Sequence, residues 1–557
     1  RLLSLALAMA TVPLHILPRL APVVTLKPHQ VEAARFLEEA LSAPDGFAIL
    51  GDDMGMGKTL VAMEVLLRLV GNEETDGGGA AVVLTTRVIL EEVWRPHFQQ
   101  FAPSARVHVV GGPPEDRDEE VARAVSRAHV VLCTATMAGA MQARAGTWAA
   151  ATAAARLVVV DECQYMTNPE SQLWQAVRAR SATPVLLMSG TPFHNQACRQ
   201  LRALCDAAAA PGTPLRNTQL TSGEFLAAWE ERRAQVLLRR TAAELAAADV
   251  SMRRTAPRQQ NEICEFSETQ ARLYHAAHRA MMDKFHKLQR ARQLQNPLAV
   301  SGCLRAYQAA LTTLRVVATH PCISDVSCGD MQASAVALRH AKTKRGISVK
   351  LHMTLRFIQA QGVQRGRKVV VVSAFRCFLD ILAEYLADRG IPFTSFTGAV
   401  RGAVRSAQLA QWKGYDHGIN VLLMTTKCGN AGISLDPDPH PDGRPRTTLV
   451  LDVDSMSELN PATRAQLLMR WNRRMRAPGQ PPQDTLVVSL VVRGTTDDIQ
   501  DYLAAKHDGT AAVLGKRKQR QDDTKEERPP QAVTLARVLD RAWSGTRACR
   551  EIRRMKR

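Results

Sequence analysis

GDDMGMGKTL, residues 51–60, is the most informative local pattern in this sequence. It nearly matches the phosphate-binding pattern G-x-x-x-x-G-K-[ST], except that Asp52 occupies the position of the first glycine. The apolar run GFAIL (46–50) precedes it, and the helical sequence KTLVAMEVLLRL (58–69) follows it. This order of strand, loop and helix is the context that a working phosphate loop requires.

A loop of this kind predicts contacts with a nucleoside triphosphate. Backbone N–H groups at the start of a helix bind phosphate oxygens. Lys58 would neutralise the β- and γ-phosphates, and the Thr59 hydroxyl would bind Mg²⁺. The sequence LVVVDECQ (157–164) adds two carboxylates after an apolar run, with Asp161 as a partner of the metal and Glu162 to orient the attacking water. Together the two motifs predict a Mg²⁺-dependent NTPase.

Two series of apolar runs predict an α/β chain with two parallel sheets, because helical patterns separate most of the runs. Most of these runs are apolar without alternation, which is typical of strands buried on both faces. The first series is GFAIL, AAVVLT (80–85), ARVHVV (105–110), HVVLCT (129–134), RLVVVD (156–161) and PVLLMS (184–189). The second series is KVVVVS (368–373), PFTSF (392–396), INVLLMT (419–425), TTLVLD (447–452) and TLVVSLVV (485–492).

Between the two series, from about residue 197 to 345, strand signals nearly vanish and helical patterns dominate. The expected division is therefore an N-terminal apolar segment, a first lobe, a helical insertion, a second lobe and a basic tail. Their predicted bounds are 1–20, 21–200, 201–345, 346–510 and 511–557.

The charge balance favours a polyanionic partner. Lys and Arg outnumber Asp and Glu by 72 to 53, which gives a net charge of +19, and nucleic acid is the leading candidate. The tail carries 14 basic and 6 acidic residues, a balance of +8. Its segment 515–531 is expected to be disordered or loosely helical, and could be a phosphate-binding arm, a nuclear localisation signal or a solvated charge run.

Other features of the sequence exclude some classes of protein. The eleven cysteines are scattered and never spaced C-x-x-C, which indicates a reducing compartment and no zinc module. Pro13 and His15 interrupt the apolar N-terminal run, and no segment approaches about 18 uninterrupted apolar residues, so we expect no membrane span. Because the chain begins without Met, we expect residues 1–20 to be part of a longer N-terminal sequence.

The motifs together resemble the SWI/SNF-type helicase-like ATPases of superfamily 2. That family commonly reads D-E-M-G-L-G-K-T in the loop, so Asp52 stands where the family also has Asp. The resemblance implies nucleotide binding by the whole loop, and LKPHQ (26–30) resembles the adenine-recognition motif, which implies a role for Gln30. The loop residues are Asp52, Asp53, Met54, Gly55, Met56, Gly57, Lys58 and Thr59.

Further blocks of the first lobe follow in the family's order. VVLTTRVILEEVWRPHF (82–98) resembles its DNA-contact motif with Trp94, although Thr85 stands where Pro is usual. LLMSGTPFHN (186–195) and LLRRT (237–241) match two further blocks. DECQ departs from the family's D-E-A-H, which puts the coupling role of the last position in doubt at Gln164.

In the second lobe, QLLMRWNR places Gln466, Arg470 and Arg473 at the family's Q-x-x-x-R-x-x-R spacing. The resemblance implies that these residues are catalytic and that the arginines reach the γ-phosphate when the second lobe closes onto the first. The Gly-Gln that usually follows closely is displaced to Gly479 and Gln480. FTGAVRGAVR (396–405), TTKCGNAGISL (425–435) and RGTTDDI (493–499) match three other blocks of the family.

The resemblance implies two RecA-like parallel-sheet lobes with helical insertions between them. It also implies a nuclear, ATP-dependent translocase on double-stranded DNA, acting in chromatin remodelling or DNA repair, with nucleosomes as a further candidate partner. Two alternatives stay open. One is an RNA helicase of superfamily 2, which the long interval from Pro192 to Lys368 disfavours. The other is a catalytically impaired DNA-binding scaffold, which Gln164 and the displaced Gly-Gln keep in consideration.

Overall fold

The computed structural model of this chain describes most of the two predicted lobes and four short pieces near the C-terminus. No helix within this part of the chain is long and apolar enough to cross a membrane. The described residues are 19–71, 79–145, 147–180, 183–192, 197–217, 219–246, 257–323, 348–397, 402–415, 417–426, 435–438, 447–454, 467–471, 484–499, 540, 542–544, 546 and 549.

The first sheet is parallel throughout and runs in the order β3-β4-β2-β5-β6-β1-β7. Alternate residues of its strands belong to two separate apolar cores, so helices cover both faces. The strands are Phe47–Leu50 (β1), Ala81–Thr85 (β2), Val107–Val109 (β3), Val130–Thr134 (β4), Leu157–Asp161 (β5), Val185–Met188 (β6) and Leu237–Leu238 (β7).

The second sheet is also parallel, in the order β10-β11-β9-β12-β13-β8. Its central strands are valine- and leucine-rich and buried, as expected for strands covered on both faces. The strands are Arg258–Cys264 (β8), Lys368–Ser373 (β9), Phe393–Phe396 (β10), Val421–Thr425 (β11), Thr447–Asp452 (β12) and Asp484–Val492 (β13).

Helices connect the strands and cover the sheets. They are Pro28–Ser42 (α1), Lys58–Gly71 (α2), Arg87–Ile89 (α3), Arg95–Phe101 (α4), Arg117–Arg127 (α5), Ala135–Ala145 (α6), Thr147–Ala151 (α7), Gln172–Ala179 (α8), Ala197–Ala208 (α9), Ser222–Val236 (α10), Ala242–Leu245 (α11), Glu268–Gln293 (α12), Pro297–Thr319 (α13), Val349–Phe357 (α14), Arg376–Asp388 (α15) and Gly402–Lys413 (α16). Two π-helical turns, Leu90–Trp94 and Ile358–Val363, continue α3 and α14. The 3₁₀ turns within the described residues are Cys163–Met166, Pro214–Arg216, Pro321–Ile323, Met469–Trp471 and Thr496–Ile499.

All eleven strands predicted from apolar runs are present, within one or two residues of their expected ends. The expectation that residues 197–345 contain almost no strand is wrong at two places. β7 lies at the edge of the first sheet and pairs with β1, and β8 lies at the edge of the second sheet and pairs with β13. β7 has only two residues, and β8 has the sequence RQQNEIC, so neither shows an apolar run. Both sheets therefore extend into the stretch predicted as a helical insertion.

The described pieces near the C-terminus pack against the hairpin of α12 and α13. Trp543 is buried, lies 4.7 Å from Tyr274 between ring centroids, and donates its indole N–H to His275 Nδ1 at 3.2 Å. Cys549 is buried in the same core. The segment 515–531, predicted to be disordered or loosely helical, lies outside the described residues. The predicted basic tail therefore contains at least two residues that serve as core.

Candidate active site

The site lies at the carboxyl edge of the first sheet, where β1, β5 and β6 end side by side. Parallel strands end at the same edge, and ligands of open α/β sheets bind there. The phosphate loop follows β1, the acid pair ends β5, and Ser189 and Gly190 follow β6. The order of the strands in space therefore brings together three motifs that are far apart in sequence.

Gly55 and Gly57 shape the loop, with φ angles of +73° and +83° that favour glycine. A Cβ atom on Gly57 would lie 2.1 Å from Gln30 Nε2, so the close approach of Gln30 also requires glycine. Gln30 donates to the Met56 carbonyl at 3.2 Å and accepts from the Lys27 N–H at 2.9 Å. The predicted adenine reader therefore holds the loop that it precedes by 26 residues.

Lys58 lies at the start of α2, and its ammonium donates to the carbonyl oxygens of Asp52 at 2.7 Å and Asp53 at 3.1 Å. Lys58 and Thr59 line a cavity of about 500 Å³ together with Asp161 and Glu162. This cavity therefore collects four of the side chains for which the sequence predicted a role with the triphosphate or the metal. Its other lining residues are Met54, Gly55, Gly57, Leu60, Ile89, Glu92, Val93, His97, Phe101, Ser189, Gly190, Leu409 and Lys413.

The carboxylates of Asp52 and Asp53 have partners in the segment that follows β7. Asp52 pairs with Arg240 at 2.6 Å and accepts from its main-chain N–H at 2.9 Å, while Asp53 accepts from the Ala242 N–H at 3.0 Å. Arg240 also pairs with Glu32 at 2.8 Å. Asp52 and Asp53 thus fasten the loop to the edge of the sheet, and their side chains do not line the cavity. Met56 and Gln30 are likewise absent from its lining.

Asp161 is held by two hydrogen bonds, one to each carboxylate oxygen. Oδ2 accepts from the indole N–H of Trp94 at 2.8 Å, and Oδ1 accepts from the Glu162 N–H at 3.0 Å. Burial, together with the neighbouring Glu162 carboxylate, raises the pKa of Asp161 to about 6. A cation beside Asp161 would offset this cost, and Thr59, whose side chain carries a hydroxyl, lines the same cavity. Hard oxygen donors of this kind suit Mg²⁺, which typically binds one or two protein groups together with substrate phosphates and water.

Within the described residues, no cluster of three or more His, Cys, Asp or Glu side chains could hold a metal. Thr59 and Asp161 supply two oxygen donors, which is the number that Mg²⁺ typically takes from a protein when it binds together with substrate phosphates.

Gln164 connects the acid pair to the segment after β6. Its amide donates to Glu162 Oε2 at 2.8 Å, and its carbonyl oxygen accepts from the Ser189 hydroxyl at 2.6 Å. Ser189 in turn accepts from the Thr191 N–H at 2.9 Å. Glu162 has a left-handed φ of +58°, which is uncommon for a residue other than glycine and aims its side chain at this network. Gln164 thus links the DECQ and SGTP blocks, although it replaces the histidine of the related motif.

The second sheet also contributes to the site. Arg470 is fully buried in the 3₁₀ turn Met469–Trp471, and its Nη2 lies 3.9 Å from Glu162 Oε1. Leu409 and Lys413 of α16 line the cavity, and Ser406 of α16 donates to Glu92. Gln466, Arg473, Gly479, Gln480 and most of TTKCGNAGISL lie outside the described residues, as does the side chain of Arg405.

Sequence reasoning missed two partners in this site. Arg240 lies in the LLRRT block and Trp94 in the DNA-contact motif, but neither residue was predicted to bind a carboxylate of the site. The Trp94–Asp161 bond spans 67 residues and the Arg240–Asp52 pair spans 188. The sequence carries no local signal for either contact, because the burial of Asp52 and the cation that compensates it are known only from the fold.

A comparison with known families identifies the class of the chain. The profile of the SNF2-related domain matches residues 29–321, more than half of the chain. The chain belongs to the SNF2-related family. This confirms the resemblance to the SWI/SNF-type helicase-like ATPases of superfamily 2, and the α/β fold with two parallel sheets agrees with it.

Individual members of the SNF2-related family are distant from this chain. It is 27% identical to the "Chromodomain-helicase-DNA-binding protein 1-like" of Danio rerio, over 74% of this chain and 38% of that protein. It is 25% identical to the "Probable global transactivator" of Orgyia pseudotsugata multicapsid polyhedrosis virus, over 86% of this chain and 88% of that protein. The chain thus spans less than half the length of the zebrafish relative.

Among solved structures, the chain is similar to the "Sulfolobus solfataricus SWI2/SNF2 ATPase core in complex with dsDNA". The two share 18% sequence identity with a TM-score of 0.35, over 88% of this chain and 94% of that chain.

Proposed function

We propose that this chain hydrolyses ATP in response to duplex DNA and couples hydrolysis to closure of its two lobes, which moves it along the duplex. The observation that carries the proposal is the convergence of three side chains from two sheets. Lys58 and Glu162 border one cavity, and Arg470 of the second lobe lies 3.9 Å from Glu162. Phosphoryl transfer requires a lysine for the triphosphate, a carboxylate for the attacking water and an arginine for the developing charge, all at one place. It therefore explains this arrangement best.

The side chains have separate roles in this mechanism. Phosphate oxygens would replace the Asp52 and Asp53 carbonyls as acceptors for Lys58, while loop N–H groups from Met54 to Thr59 bind the remaining charge. Mg²⁺, held by Thr59 and Asp161, would neutralise the β- and γ-phosphate oxygens. Gln30 is the proposed reader of the adenine ring.

Glu162, positioned by Gln164, would orient the water for in-line attack. Arg470 and Arg473 would stabilise the charge that develops on the γ-phosphate, and Gln466 would assist them. Because these three residues come from the second lobe, hydrolysis would depend on the position of that lobe relative to the phosphate loop.

Double-stranded DNA is the proposed partner, with nucleosomes as a further candidate. The net charge of +19 supports a polyanion, and the zebrafish relative is named as a DNA-binding helicase. Chromatin remodelling or DNA repair in the nucleus is the proposed setting.

The test is ATP turnover with duplex DNA, single-stranded DNA, RNA and nucleosomes measured in parallel. We expect the largest stimulation with duplex DNA or nucleosomes. Stimulation by RNA alone would favour an RNA helicase. Nucleotide binding without turnover on any nucleic acid would indicate an impaired scaffold of the same fold.

A further inference from the structure

The helix that follows β2 contains a π-helical turn, Leu90–Trp94, between α3 and α4. Such turns are rare in helices and occur often at functional sites, because the extra residue re-aims the side chains that follow. Here the turn ends at Trp94, whose side chain is fully buried and donates its indole N–H to Asp161. The turn therefore delivers a hydrogen-bond donor to the carboxylate proposed to hold the metal.

Trp94 is itself held in place. Its ring stacks on Phe98 with centroids 6.0 Å apart and planes at 30°, and it belongs to the core shared by β2, β5 and β6. Because packing restricts the Trp94 ring, its indole N–H restricts the rotation of the Asp161 carboxylate to which it donates. Since Glu162 N–H binds the other oxygen, both oxygens of Asp161 keep one defined direction for a further ligand.

The same turn touches the second lobe. Glu92 accepts a hydrogen bond from Ser406 of α16, and Glu92 and Val93 line the nucleotide cavity. Glu92 lies one residue before Val93 and two residues before Trp94, which donates to Asp161. The five-residue turn Leu90–Trp94 thus connects the second lobe to Asp161, the carboxylate proposed to hold the metal.

We propose that Trp94 is a positioning residue for Asp161, and that the turn Leu90–Trp94 transmits the position of α16 to that carboxylate. The inference rests on the proposed function, because it requires Asp161 to bind Mg²⁺ with a nucleotide. It adds a way for the second lobe to act on the metal as well as on the γ-phosphate.

The first test replaces Trp94 by phenylalanine, which keeps an aromatic ring and removes the N–H donor. Binding of a fluorescent ADP analogue is measured as a function of Mg²⁺ concentration, so that no hydrolysis is needed. We expect the Mg²⁺ requirement of Trp94→Phe to rise about tenfold, the size typical for loss of a hydrogen bond to a charged group. Binding of the analogue without Mg²⁺ should stay within about twofold of wild type.

Trp148→Phe is the matched control, because Trp148 is buried in the same lobe but in the opposite core. Thermal unfolding of both variants distinguishes a damaged fold from the removal of a single hydrogen bond. If Trp94→Phe and Trp148→Phe give the same Mg²⁺ requirement, the inference is overturned while the proposed function stands. If the wild-type protein shows no Mg²⁺-dependent nucleotide binding, both are overturned.

A double-mutant cycle tests the link to the second lobe. Ser406→Ala alone should raise the Mg²⁺ requirement by a few fold, and adding it to Trp94→Phe should change nothing further, because the route is already broken. If the increase in Mg²⁺ requirement of the double variant equals the product of the two single increases, transmission through the turn is overturned.

Discussion

The two sheets place carboxylates at equivalent edges and use them differently. In the first sheet, Asp161 ends β5 and borders a cavity of about 500 Å³. In the second sheet, Asp452 ends β12 and Asp454 follows two residues later. Asp454 accepts from the Ser373 hydroxyl and the Ala374 N–H, both at 2.7 Å, and Asp452 accepts from Ser489 at 3.2 Å.

The lysines at the two edges differ in the same way. Lys350 is fully buried, pairs with Asp497 at 2.8 Å and donates to the Val453 carbonyl at 2.5 Å. Lys58 is only partly buried and donates to two main-chain carbonyls of its own loop, beside the cavity. Carbonyls can be exchanged for phosphate oxygens, whereas separating a buried ion pair is costly. A carboxylate and a lysine at a strand end therefore indicate a site only where a ligand can replace their present partners.

The largest effect is expected from the two arginines of the second lobe that are proposed to act on the γ-phosphate. Arg470→Gln and Arg473→Ala should each lower DNA-stimulated ATP turnover by about 10³ to 10⁵ and leave ATP affinity within a few fold, because an arginine finger acts mainly in the transition state. Steady-state hydrolysis and nucleotide binding measure the two quantities. Arg476→Ala is the control for a general loss of basic charge. If Arg473→Ala and Arg476→Ala behave alike, Arg473 is not a finger.

The lysines test the comparison directly. Lys58→Ala should lower turnover by about 10² to 10³, the usual cost of removing preorganised charge, with little change in stability. Lys350→Ala should instead lower the free energy of unfolding by about 3 to 5 kcal/mol, because it removes one partner of a fully buried ion pair with Asp497. Turnover and urea unfolding of both variants decide the matter. A Lys58→Ala protein with more than half its turnover would contradict the site.

The stability of the nucleotide-free protein should report the raised pKa of Asp161. The pKa of an unfolded Asp is 3.8 and that of folded Asp161 is about 6, so the folded state keeps a proton that the unfolded state loses. Wild-type stability is therefore lost as pH rises between these values. The free energy of unfolding of Asp161→Asn minus that of wild type should therefore be about 1 to 2 kcal/mol larger at pH 7 than at pH 5. Urea unfolding at the two pH values checks this, and a constant difference would contradict it.

The smallest effect concerns DNA affinity from the tail. We expect deletion of residues 511–539 to flatten the dependence of the logarithm of affinity on the logarithm of salt, by about 0.9 for each DNA phosphate that the tail neutralises. The decrease in affinity should be uniform across DNA sequences. The deletion stops before Asp540, because Trp543 and Cys549 belong to the core of the α12–α13 hairpin. If the dependence of affinity on salt does not change, residues 511–539 are a solvated tail or a localisation signal and do not bind DNA.

Elements with a local signal could be predicted from the amino-acid sequence alone. Most of the eleven predicted strands appear as apolar runs, since a strand buried on both faces is apolar at almost every position, whereas β10 (FTSF) alternates between buried and half-buried residues. The loop with Lys58 and the acid pair of Asp161 and Glu162 could be predicted from short patterns. Each pattern specifies a local backbone conformation together with the side chains that it carries.

Contacts between segments that are distant in sequence depend on the tertiary fold and could not be predicted in this way. β8 is a polar strand that exists because β13 offers it seven paired residues, and β7 is too short to leave a pattern. The bond from Trp94 to Asp161 and the pair of Arg240 with Asp52 join residues 67 and 188 positions apart, and Arg470 approaches Glu162 from the other sheet. Such contacts depend on the order of strands in each sheet and on how one sheet faces the other. Hydrophobic periodicity carries no record of either, because it reports only whether a residue is buried and not what lies beside it.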